Sequence, residues 1–99
     1  MFIKDETNRG FSILSFLDEY DVLCNIQKSS LASNDCIWLG VEDADPKIMA
    51  SQTPQGGTGW VKYNIPKEVL LSTRMHLNRK QARELAKLLN KFARTGELI

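Results

Sequence analysis

Residues 78–96 read NRKQARELAKLLNKFARTG. Asn78 is a good helix N-cap, and Gln81 three residues on matches the capping-box pattern. Ala82, Leu85, Ala86, Leu88, Leu89, Phe92 and Ala93 then fall on one continuous arc, at about 100° per residue. Every charged residue of the segment falls on the opposite arc. Gly96 is well placed to end the helix. The spacing therefore predicts an amphipathic helix over 78–95, with Leu85, Leu89 and Phe92 nearly fully buried.

Upstream, the period changes from helical to that of strands. Phe11-Ser12-Ile13-Leu14-Ser15-Phe16-Leu17 is aromatic and β-branched, a strand. Asp18 to Asp21 is its turn. From Asp21 to Lys28, Val22, Cys24 and Ile26 alternate with Leu23, Asn25 and Gln27, which predicts a half-buried strand in a hairpin. Cys36 to Val41 is a short continuous apolar run, suited to a central strand. Lys47 to Ala50 and Trp60 to Ile65 are further short candidates. Over 72–77, Thr73, Met75 and Leu77 would face one side, and Ser72, Arg74 and His76 the other. Residues 1–10 read as an irregular lead-in. Strands first and a helix last predict an α+β fold: an antiparallel sheet of about 4–6 short strands, one C-terminal helix packed on one face. Ile13, Ile26, Ile37 and Leu39 are the expected neighbours of the helix. At 99 residues the chain is read as one domain, with a β-rich region over 11–77.

The net charge of +1 conceals an asymmetry. Within 79–94, Arg79, Lys80, Arg83, Lys87, Lys91 and Arg94 stand against Glu84 alone, while the rest holds seven basic and eleven acidic residues. Six cations on one helix face are biased enough to suggest an anionic partner, an acidic protein surface or nucleic acid phosphates. No apolar run approaches the roughly 20 residues of a membrane span. The start Met1-Phe2-Ile3-Lys4-Asp5-Glu6 has no secretory pattern, so the cytoplasm is the expected compartment.

Residues that could carry chemistry do not assemble into a known pattern. His76 is the one histidine, and Cys24 and Cys36 the two cysteines. Either cysteine with His76 could be drawn as a dyad, but no local signature supports one. The cysteines sit in apolar stretches and read as buried, reduced thiols. Zinc on Cys24, Cys36 and His76 lacks paired ligand spacing. Asp43 and Asp45 resemble the start of a calcium loop whose remaining ligands are missing. Thr53-Pro54-Gln55-Gly56-Gly57-Thr58-Gly59 lacks the Gly-Lys-Ser/Thr ending of a phosphate loop and reads as turn chemistry. No metal or cofactor is expected. Trp38 reads as core, whereas Trp60, at the edge of the glycine-rich loop, could anchor an interface.

Four strings, Gln27-Lys28-Ser29-Ser30-Leu31-Ala32, Ile37-Trp38-Leu39-Gly40, Gly57-Thr58-Gly59-Trp60 and Arg74-Met75-His76-Leu77-Asn78, occur in this order. Together they resemble a family of small, mostly uncharacterised proteins encoded by bacteriophages and prophages, over roughly residues 10–98. The resemblance implies a protein that acts by binding a host component in the host cytoplasm, for example a defence nuclease such as a CRISPR effector. It implies no catalytic residues, and the basic helix face is not part of the family pattern. The expected function is thus a non-enzymatic binding protein that modulates or inhibits a host or defence protein. A nucleic-acid-binding accessory protein using the basic face is the alternative. The expected contact residues are Arg79, Lys80, Arg83, Lys87, Lys91, Arg94, Trp60 and Lys28.

Overall fold

A computed structural model describes all residues, Met1–Ile99. Alternation in the first half produces a meander. Strands β1 (Ile3–Glu6), β2 (Ser12–Leu17), β3 (Leu23–Lys28) and β4 (Cys36–Val41) pair antiparallel in sequence order. Two further strands, β5 (Lys47–Met49) and β6 (Trp60–Lys62), pair only with each other. Strand β7 (Arg74–Asn78) then returns to β4 and completes a five-stranded sheet of order β1-β2-β3-β4-β7. The helix α1 (Arg79–Thr95) follows without a connecting residue. The expected α+β class, an antiparallel sheet followed by one C-terminal helix, is what forms. No helix is long and apolar enough to cross a membrane.

The chain divides into two compact units, Met1–Glu42 with Arg74–Ile99, and Asp43–Thr73. The second unit is the β5–β6 hairpin with its flanks. Its loop begins as a 3-10 turn over Ala50–Gln52 and returns through Gly56, Gly57 and Gly59, all at positive φ. Ala50, buried, donates its N–H to the Gly59 carbonyl at 2.8 Å, and a Cβ at Gly57 would sit 3.7 Å from that of Ala50. This is the turn chemistry expected of the glycines.

Register sorts the five-stranded sheet into two unlike faces. Leu14, Ile26, Leu39 and Met75 stand directly opposite one another across β2, β3, β4 and β7, an unbroken apolar row. Phe16, Cys24 and Val41 form the next row on the same face, and the Phe2 ring lies tilted against that of Phe16, centroids 4.8 Å apart. The other face carries Ser15, Asn25 and Gly40 in one row and Ile13, Gln27, Trp38 and His76 in the next. Ile13 therefore lies on the opposite face from Ile26, Ile37 and Leu39, and cannot share a core with them.

Local signals held where backbone chemistry decides. The Asn78 side chain accepts the Gln81 N–H at 2.8 Å, and Gln81 Oε1 accepts the Asn78 N–H at 3.0 Å. Gly96 closes the helix at φ 76. In the β2–β3 turn, Asp18 Oδ1 accepts the N–H groups of Tyr20 and Val22 at 2.8 and 3.0 Å. The expected irregular lead-in is corrected: Ile3–Glu6 is a strand, joined to β2 by a turn in which Gly10 donates to the Thr7 carbonyl at 2.8 Å. As an edge strand with all four residues exposed, it carries no hydrophobic alternation to read. The strand expected over 60–65 stops at Lys62.

The burial expected of the helix is also corrected. No residue of α1 is buried. Ala82 and Leu85 are half-buried, but Leu89 and Phe92 are 53% and 52% exposed. The reason is the junction. Asn78 is both the last residue of β7 and the N-cap of α1, whereas helices folded back on a sheet are usually joined by about 2–6 loop residues. With none, the helix meets the sheet only through its first turns.

Candidate functional site

The helix carries its charge on one side because the sequence repeats cations at helical spacing. Arg79, Lys80, Arg83, Lys87 and Arg94 are exposed, and Lys91 is half-buried. Over about 25 Å of helix they form one stripe, with no carboxylate at ion-pair distance. The two ion pairs of the chain lie elsewhere, Lys28–Asp35 at 2.9 Å and Lys47–Asp45 at 3.3 Å. With Glu84 the one carboxylate on the helix, the stripe presents a net positive potential.

The other two expected contact residues are placed differently. Lys28, at the end of β3, is held by Asp35, and both line a cleft of about 280 Å³ with Ile37, Leu77, Arg79 and Ala82. Lys28 is thus next to the start of the basic stripe, but its charge is already partnered. The Lys28 hydrogen bond, then its charge, hold the Asp35 carboxyl below its ordinary range. Trp60 lies in the other unit and is largely exposed.

Sequence reading missed the polar face of the sheet. Arg74 Nη1 donates to Asn25 Oδ1 at 3.1 Å and to Gln27 Oε1 at 2.7 Å, and Asn25 Nδ2 donates to Glu42. Asn25 is 0% exposed, the one large side chain fully enclosed. The Arg74 guanidinium lies 5.6 Å from the Trp38 ring centroid, and His76 stacks on that ring at 4.0 Å. Trp38 is therefore half-buried in a polar cluster and not in the apolar core expected of it. The available signal was the alternation itself, which placed Asn25 and Gln27 on one side of β3 and Arg74 and His76 on one side of β7.

The cysteines are free and buried. Cys24 lies on the apolar face and Cys36 on the polar one, at opposite ends of the β3–β4 ladder. Burial and then the charge of Asp18 push the Cys24 thiol up, away from the thiolate that reacts or binds metal. His76 and Cys24 are on opposite faces, so that dyad has no geometry. His76 Nε2 instead shares a hydrogen bond of 2.9 Å with Ser29 Oγ, and Ser29 is buried. No three His, Cys, Asp or Glu side chains converge, so Cys24, Cys36 and His76 do not form the zinc set considered above.

Compared with known protein families, with characterised proteins and with solved structures, the chain matches none.

Proposed function

We propose that this chain is a non-enzymatic binding protein that modulates a host or defence protein by direct contact through the basic stripe of α1. The observation that supports this reading is the stripe itself: six cations on one helix, none of them paired within the chain. Surface charges of both signs usually neighbour one another, and a helix face with six cations to one carboxylate favours an anionic partner. The resemblance to phage-encoded proteins supplies the class of that partner. Trp60 and Lys28 are secondary contacts in this reading.

The same stripe also suits nucleic acid phosphates, which is the alternative. Lysate capture with and without nuclease separates the two. A protein partner stays bound after nuclease and shows a shallow salt dependence. A nucleic acid is lost, and its salt slope approaches about 0.9 per phosphate contacted. Reversing Lys87→Glu and Lys91→Glu should abolish capture while unfolding stability changes by only about 0.5 kcal/mol. Unchanged capture by the doubly reversed protein would show that the stripe is a solvated surface and nothing more.

A further inference from the structure

The apolar face of the sheet and the apolar arc of α1 are two halves of a core that one chain does not join. On the sheet face Cys24 is buried, Leu14, Phe16, Ile26, Leu39 and Val41 are half-buried, and Met75, at its edge, is 54% exposed. Of the helix arc, nothing is buried. The accessible surface of the whole chain is also large for its size. The chain exposes 8510 Å², whereas a compact 11.2 kDa chain exposes about 5,700 Å² by the size scaling of folded monomers. Treating the two units as separate bodies raises that figure only to roughly 6,800 Å². The remaining excess of about 1,700 Å² per chain, doubled, falls in the range of obligate homodimer interfaces, about 2,000–5,000 Å².

We propose that a second copy of this chain covers both surfaces. In a two-fold dimer, α1 of each copy would lie with its apolar arc on the other copy's row of Leu14, Ile26, Leu39 and Met75. The dimensions agree. Ala82 to Ala93 extends about 16 Å along the helix, and a row across four strands extends about 14 Å. The absent β7–α1 connector keeps the later turns of the helix off its own sheet and leaves them free to reach another. Each chain offers one arc and one sheet face, so a two-fold exchange fills both and leaves neither open. A different protein would have to match two unrelated surfaces. The cations lie on the arc away from the contact, so docking leaves them outward. This inference uses the apolar arc and the apolar sheet face, and stands apart from the function proposed for the charged arc.

The test uses the whole chain. Sedimentation equilibrium at about 10 µM, where a micromolar or tighter complex is populated, should return twice the chain mass of 11.2 kDa. In a mixture of isotope-labelled and unlabelled chains, filtered NMR contacts should connect the Phe92 ring to Met75 or Leu39 of the other copy. Phe92→Asp, at a site half-exposed in the single chain, should weaken association about 30-fold or more, as loss of a buried aromatic anchor does. A monomer at that concentration, a mass other than two chains, helix-to-sheet contacts confined to one chain, or an unweakened Phe92→Asp dimer would each overturn the proposal.

Discussion

Asn25 and Arg74 show what a single polar pair does to this sheet. Asn25 is enclosed and satisfied at both ends, its carbonyl oxygen by Arg74 and its amide by Glu42. Arg74→Met would keep the aliphatic stem and leave the Asn25 oxygen buried without its donor. The expected loss is about 1–3 kcal/mol, the usual desolvation cost of an orphaned buried group, read from urea unfolding. An unchanged midpoint would mean that water replaces the guanidinium. Asp35 offers a pH readout. Its folded-state pKa lies below the ordinary 3.8 because Lys28 bonds and charges against it. Its stabilising effect is therefore present above 3.8 and fades as pH falls through the lower, folded value. The pair is exposed, so the effect is small. Asp35→Asn should unfold slightly more easily at neutral pH, and the difference from wild type should close below pH 3.8. A difference that persists into acid would assign the effect to something other than this titration.

At the scale of elements, α1 depends on its ends more than a docked helix would. Its apolar arc has only Ala82 and Leu85 half-covered, so little packing holds it. The reciprocal bonds of Asn78 and Gln81 and the Gly96 N–H to the Phe92 carbonyl at 2.7 Å define its limits. Asn78→Ala should cost about 1 kcal/mol and lower helicity in circular dichroism. Helicity equal to wild type would show that the cap is redundant. These ends were readable from residue type and spacing alone. Strand β1 was not, because Ile3-Lys4-Asp5-Glu6 lies on an edge and buries neither side. The polar cluster was legible only as alternation. That Asn25, Gln27, Arg74 and His76 share one face depends on β7 pairing with β4 across the inserted Asp43–Thr73 unit.

For the whole molecule, the decisive property is a helix with two open sides. One arc carries unpaired cations and the other unpartnered Leu88, Leu89 and Phe92. Amphipathic spacing states that the apolar arc must be covered, because exposed apolar area on this scale is unfavourable in water. It does not state by what. Residue order alone determined the helix, its caps, the main strands, the two-sided charge and the two buried thiols, since these follow from period, backbone chemistry and composition within a few residues. Only the tertiary structure decided that β7 joins β4, that Trp38 belongs to a polar cluster, and that α1 meets its own sheet only through its first turns. Those outcomes depend on strand order and on a junction with no connecting residue, where short-range pattern carries no information about which surface a helix will meet.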